Sequence, residues 1–329
     1  MSRRAWWVAV VLAPVLALFI VCTLNALAWL GRPFPGFLVL ENGIVVSIGR
    51  TEWANVRYRN LPFARVVAVD GQPVTSGREV RAHIEEVGPG RFVTYTFRQG
   101  TNIFRLALRV RPFTHGDFFE LFAPFLGVGL LMVVASAAVV ALRPGAAHAR
   151  ALFAVCLAIG ILLITSPDMY SPYRFALVAF LATCLLPPAC VHLALTFPQP
   201  RTITRWPLLY AVLYVPFTAL GVALWWSMPD PALFLPLLYT VYFLVANAAL
   251  LNVGALVLGL VDGARPRQPI VLGLAAVLGS CLIAATIIAT YPLLQRPISP
   301  GWAFGPLLLL PILEGIAFVR FPLPAQSAS

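Results

Sequence analysis

Apolar and polar positions divide the chain into two kinds of segment. Eight long apolar runs, at residues 5–30, 120–142, 151–167, 175–197, 206–228, 232–261, 269–291 and 302–321, have the length and character of helices that cross a bilayer. Between the first and the second, residues 32–116 alternate apolar and polar positions with turn residues between them, the pattern of a small soluble domain. The pattern predicts a mainly α, multi-pass membrane bundle of eight transmembrane helices with an inserted small α+β domain. Its parts are an anchor at 1–31, the inserted domain at 32–116, a seven-helix bundle at 117–321 and a short tail at 322–329.

Within the inserted segment, residues 37–48 read as strand, turn and strand around Asn42-Gly43. A strand at 65–69 ends at the tight-turn pair Asp70-Gly71. Residues 77–87 predict a short helix with Ser76 as its cap and Val80, Ile84 and Val87 as its apolar stripe. Residues 91–98 and 103–111 predict a hairpin turning at Gln99-Gly100-Thr101-Asn102, with Val93, Tyr95 and Phe97 on one face and Phe92, Thr94 and Thr96 on the other. Every element has an apolar face, so the segment is expected to fold by itself.

Strand, Val69-Asp70-Gly71-Gln72-Pro73-Val74, helix and hairpin together resemble a PDZ domain over about residues 36–111. The resemblance implies a groove between a strand and a helix that takes an extended peptide by strand addition. Pro35-Gly36-Phe37 is a faint counterpart of that family's carboxylate-binding loop. The later spans resemble the N-terminal membrane module of bacterial sensor histidine kinases of the pheromone-receiving type, which also carry a PDZ-like domain after their first span. Two stretches carry this likeness, His192-Leu193-Ala194-Leu195-Thr196-Phe197-Pro198 and Ile312-Leu313-Glu314-Gly315-Ile316-Ala317-Phe318-Val319-Arg320-Phe321. No phospho-acceptor segment or ATP-binding lobe follows Phe321 in this sequence. The resemblance therefore implies a sensor that passes its signal to a separate cytoplasmic partner.

Charge sets an expected orientation. With the N-terminus inside, Arg3, Arg4, Arg143, Arg150, Arg201, Arg205, Arg265, Arg267 and Arg320 lie on the cytoplasmic side, and only Arg174 and Arg296 lie in short outer loops. Basic residues accumulate inside, so both termini are expected in the cytoplasm and residues 32–116 outside, at a bacterial inner membrane. Trp6, Trp7, Trp29, Trp206, Trp225, Trp226 and Trp302 fall at span ends, as headgroup anchors do. A cleaved signal peptide ending at Ala26-Leu27-Ala28 is the alternative to an anchor, but the first run is longer than a signal core of about 7–15 residues.

Composition agrees: 60% of residues are hydrophobic and 11% charged, against about 25% charged in soluble domains. The net charge of +11 is not a nucleic-acid signal, because its arginines sit in the inserted domain and in membrane-flanking loops. Cys22, Cys156, Cys184, Cys190 and Cys281 all lie in apolar runs with no ligand spacing, so neither zinc nor a disulfide framework is expected. The sequence lacks His-Glu-x-x-His and Gly-x-Ser-x-Gly, and no aspartate pair sits in the spans. No catalytic residue or cofactor is expected.

Polar groups inside spans are the candidate site, since burying them in lipid is costly. These are His192, Glu314, Asn247, Asn252, Tyr239 and Tyr242. Glu314 and His192 lie at similar depth, close enough for contact, although both could instead reach towards headgroups. The two asparagines and two tyrosines line a cavity or serve as interhelical hydrogen-bond glue. Pro187-Pro188 is expected to kink its span, and Ala276, Ser280 and Ala284 to allow close packing. His83, His115 and His148 read as ordinary surface residues. The leading expectation is a non-catalytic membrane sensor that detects an extracytoplasmic peptide or lipid-like ligand. The alternative is a small-molecule or lipid transporter, or an accessory subunit of one.

Overall fold

A computed structural model describes residues 6–50, 52–58, 60–198, 201–262, 266–294 and 302–321, with the side chains of 205, 207, 283–294 and 302 excepted. Helix α1 (Trp6–Leu27) leads into the inserted domain. The domain runs β1 (Pro33–Phe34), α2 (Ala54–Arg57), β2 (Arg65–Val69), β3 (Gln72–Pro73), α3 (Gly77–Val87), β4 (Phe92–Gln99), β5 (Asn102–Arg109) and β6 (Arg111–Pro112). A single turn, α4 (His115–Asp117), and a π-helical turn at Phe118–Phe122 then open α5 (Ala123–Leu142). After it come α6 (Ala147–Thr165), α7 (Ala176–Thr196), α8 (Pro207–Ser227), α9 (Pro231–Val261), α10 (Gln268–Leu294) and α11 (Leu309–Arg320).

Among the described residues, seven helices are long and apolar enough to cross a membrane. They make this a multi-pass helical membrane protein. The expected seventh span coincides with α10, whose side chains are described only as far as Leu282. Glycines permit a close crossing of α5 and α6. A Cβ on Gly129 would stand 2.9 Å from the Gly160 carbonyl oxygen, and one on Gly160 2.8 Å from that of Gly129, so α5 and α6 touch backbone to backbone. Helix α1 lays Val8, Val15 and Cys22 against the bundle at seven-residue spacing. Helix α7 continues through Pro187 and Pro188 as one element. Ala276 and Ser280 are buried as expected, and the Ser280 hydroxyl donates to the Pro306 carbonyl at 3.1 Å. The side chain of Ala284, residues 2–4, Arg265, Arg296 and the tail 322–329 lie outside the described residues.

The domain's local signals are realised where the pattern puts them. Asn42 Oδ1 accepts from the Ile44 amide, Gly43 has φ +80°, and Val39 faces Val45 across the turn. Asp70 and Gly71 both take positive φ, and β2 and β3 pair from Val69–Gln72. Ser76 caps α3 by accepting from the Glu79 amide. The longer sheet has the order β3-β2-β4-β5, and β1 pairs with β6. Val93, Tyr95 and Phe97 enter the core, while Phe92 and Thr94 face out.

The 37–48 hairpin is buried on both faces. Phe37, Val39 and Val45 join the domain core. On the other face, Leu38 packs into the core of the membrane helices, and Ile44 packs with Phe180, Met228 and Phe234 at one end of α7, α8 and α9. Burying an aliphatic side chain stabilises by roughly 1.5–3 kcal/mol, so the hairpin is a shared wall rather than a domain surface.

Candidate functional site

No hydrogen bond joins any two of the six candidate polar residues among the described residues. His192 Nδ1 lies 3.1 Å from the Tyr214 hydroxyl and its ring packs edge-on to Tyr210. The Glu314 carboxyl is 1% exposed, and neither oxygen has a hydrogen-bond partner among the described residues. No His192–Glu314 hydrogen bond forms among the described residues: the histidine turns towards Tyr214 of α8, while the buried glutamate lies near Cys156 of α6 and Cys190 of α7. Asn252 is interhelical glue: its amide donates to the Cys190 carbonyl at 2.8 Å, tying α9 to α7. Asn247 faces outward and donates to Phe243 O of its own helix at 2.7 Å. Tyr239 and Tyr242 are also exposed on α9, and the Tyr239 ring meets Phe63 of the inserted domain at 6.4 Å. His148, expected at the surface, is half-buried, with its ring 4.3 Å from that of Phe318.

The polar site that the fold does build lies where the domain joins the bundle. Thr114 and Asp117 form a reciprocal cap at the start of the second span: the Asp117 amide donates to Thr114 Oγ1 at 3.1 Å, and Asp117 Oδ2 accepts from the Thr114 amide at 2.8 Å. The carboxylate, 0% exposed, also accepts from Arg50 Nη1 at 2.9 Å, Trp53 Nε1 at 2.9 Å and Arg111 Nη2 at 2.7 Å. Arg50 goes on to Glu120 at 2.8 Å. Burial opposes the Arg50 charge, but the hydrogen bond to Asp117 and the charges of Glu120 and Asp117 outweigh it and raise its pKa. Aromatic rings pack against one side of this cluster. Phe34 and Trp53 lie 4.6 Å apart, Phe113 stacks on Phe122 at 5.3 Å, and Trp29 meets Phe113 at 5.3 Å. Trp29, expected at the headgroups, is instead buried here beneath the Arg81 guanidinium, 4.4 Å away.

A second junction comes from the loop between α6 and α7. Asp168, fully buried, organises it: Oδ1 accepts from Asn25 of α1 at 3.1 Å and Oδ2 from the Phe175 amide at 2.7 Å. The Asp168 carbonyl accepts from the Tyr173 amide at 2.9 Å. Tyr173 sits at φ +66°, a conformation that costs a bulky residue about 1–3 kcal/mol and persists only where the surroundings impose it. Its hydroxyl donates to the Val39 carbonyl at 3.2 Å, and the Arg78 guanidinium lies 5.1 Å from its ring centre.

Arg50, Arg111, Asp117, Asp168 and Tyr173 are absent from the sequence-level candidates. Thr114-x-x-Asp117 before an apolar run was the available signal, since it is a capping-box pattern. Nothing local marks Arg50, which is 67 residues from its partner. Among the described residues no group of three or more His, Cys, Asp or Glu is arranged to hold a metal ion. An open cleft of about 600 Å³ runs between α8 and α9, lined mostly by apolar side chains, with Asp230 at its rim. Compared with protein-family models, curated proteins and solved structures, the chain matches none.

Proposed function

We propose that this is a receptor-like protein of a bacterial cytoplasmic membrane, acting by binding rather than catalysis. In this reading the inserted domain is extracytoplasmic and PDZ-like, takes up an extended polypeptide segment by strand addition, and passes the event through the helices to a separate cytoplasmic partner. The observation that carries the reading is the continuous junction between domain and bundle. Asp117, on the helix that opens the second span, gathers Arg50, Trp53 and Arg111 from the domain. A domain tethered only by its two chain ends would have no such path. The nine-to-two arginine distribution supports the orientation.

Membrane-impermeant maleimide tests it in a cysteine-free background. Gly100→Cys, at the tip of the β4–β5 hairpin, is expected to label in intact cells, and Gly145→Cys, between α5 and α6, only after permeabilisation. Labelling in the opposite order places the domain in the cytoplasm and ends the receptor reading.

A further inference from the structure

Residues 38–40 are a short extended segment, bridged through Val39 to Val45 on one edge and turned to the membrane helices on the other. Leu40 N–H bonds to the Ile44 carbonyl at 2.9 Å, and the Leu38 carbonyl accepts from Val46 at 3.1 Å. In an antiparallel pair of this kind the residue between them directs its own N–H and C=O to the opposite side. That residue is Val39, and its C=O is the group that Tyr173 holds at 3.2 Å.

The domain is shaped around this one side chain. Gly77 begins α3 beside it, and a Cβ there would lie 2.5 Å from both the Tyr173 hydroxyl and the Leu40 carbonyl oxygen. Only glycine leaves room for the phenol. The Gly77 amide donates to the Glu41 carbonyl at 2.8 Å, which closes the end of the socket. Arg78, the next residue of α3, covers the ring. One helical turn on, Arg81 covers Trp29 and pairs with Glu85 at 3.0 Å. The outward stripe of α3 is thus fitted to aromatic groups of the membrane part, while Val80 and Ile84 face the domain core.

An extended edge beside a helix, whose outward carbonyl is held by a side chain rather than by another main chain, is where an extended segment can add by main-chain hydrogen bonds. We propose that Tyr173 is an intramolecular competitor for this edge: an extended polypeptide segment captured between residues 37–40 and α3 displaces it. The proposal rests on the strand-addition reading given above. The loop that carries Tyr173 is held by Asp168, whose carboxylate also holds Asn25 of α1. Displacement therefore acts on the α6–α7 connection and on α1 together, and capture at the domain becomes a movement of membrane helices.

The test uses the full chain in nanodiscs and a displayed library of random short peptides, panned against the wild type, Tyr173→Ala and Tyr173→Phe. Peptides enriched on Tyr173→Ala are expected to bind it about ten-fold tighter than the wild type, with Tyr173→Phe between the two, since it lacks only the hydroxyl. Bound peptide is expected to slow amide exchange at residues 37–40 and in α3. Equal affinity for wild type and Tyr173→Ala overturns the proposal. So does protection elsewhere in the chain, or a failure of every variant to enrich peptides. Should Tyr173→Ala not fold, Tyr173→Phe carries the comparison by itself, because it keeps the ring in the socket. Maleimide labelling of Gly100→Cys is independent of any peptide, so a correct orientation without competition removes only the role of Tyr173.

Discussion

At the scale of single residues, Asp117 is the group on which most depends. Its carboxylate satisfies two arginines, one indole and the cap of its own helix. Removing one partner of a buried ion pair costs about 3–5 kcal/mol, because the other charge is left uncompensated. Arg50 and Arg111 keep some contact with water, which lowers that cost. Asp117→Ala is expected to destabilise by about 3 kcal/mol, at the lower end of that range, measured by thermal or denaturant unfolding in detergent. A loss below about 1 kcal/mol would place Asp117 among ordinary surface ion pairs. Glu314 presents the opposite case, a buried carboxyl with no hydrogen bond among the described residues. Its depth is readable from its position in the last span, but its lack of a partner is not, because whether His192 turns towards it depends on how α7 is rotated between α8 and α11.

At the scale of elements, α3 combines a local start signal with two faces of different origin. Glu79 Oε2 accepts from the Thr75 amide at 2.7 Å and Oε1 from the Thr75 hydroxyl at 2.8 Å. The backbone and side-chain hydrogen bonds from Thr75 lower the Glu79 pKa below its ordinary value. A lowered carboxylate contributes stability that is present above the unfolded pKa, about 4.3, and is lost as pH falls through the folded value. Acidification below pH ~4 is therefore expected to loosen the α3 N-terminus in the wild type but not in Glu79→Gln, as read by amide exchange at residues 76–80. Identical acid responses in the two proteins would mean that the bonds from Thr75 to the Glu79 carboxylate contribute nothing. Ser76, Val80 and Ile84 announce this helix because cap and stripe are local. Arg78 and Arg81 look like solvent-facing residues of an amphipathic helix, yet Tyr173 and Trp29 lie beneath them.

At the scale of the whole molecule, the inserted domain and the bundle share one hydrophobic wall. Residues 34–113 alone would expose Leu38 and Ile44, together with Phe34, Trp53 and Phe113, which belong to the core of the membrane helices. The sequence suggests a self-sufficient domain; the shared wall predicts otherwise. The fragment is expected to form its sheet and α3 but to self-associate, and Leu38→Ser with Ile44→Ser is expected to restore a monomer in sedimentation experiments. A fragment that is monomeric without those changes would show that the domain closes its own core.

The sequence alone determined the apolar spans, the tight turns at Asn42-Gly43 and Asp70-Gly71, the capped helix and the alternation of the β4–β5 hairpin. Each of these is set by neighbours within a few residues or by the thickness of a bilayer, so each is written in local composition and period. The tertiary structure decided which side of an apolar strand is inside. In the 37–48 hairpin both faces are apolar, and period-two alternation cannot say that one serves the domain and the other the bundle. It also decided the partners of charge. Arg50 to Asp117, Asn25 to Asp168 and Tyr173 to Val39 join residues separated by 67, 143 and 134 positions, and no window of sequence reaches so far. The first and third exist because a folded domain has been laid on the end of a helical bundle, and the second because α1 packs beside the α6–α7 loop; only those placements bring the partners within hydrogen-bond range.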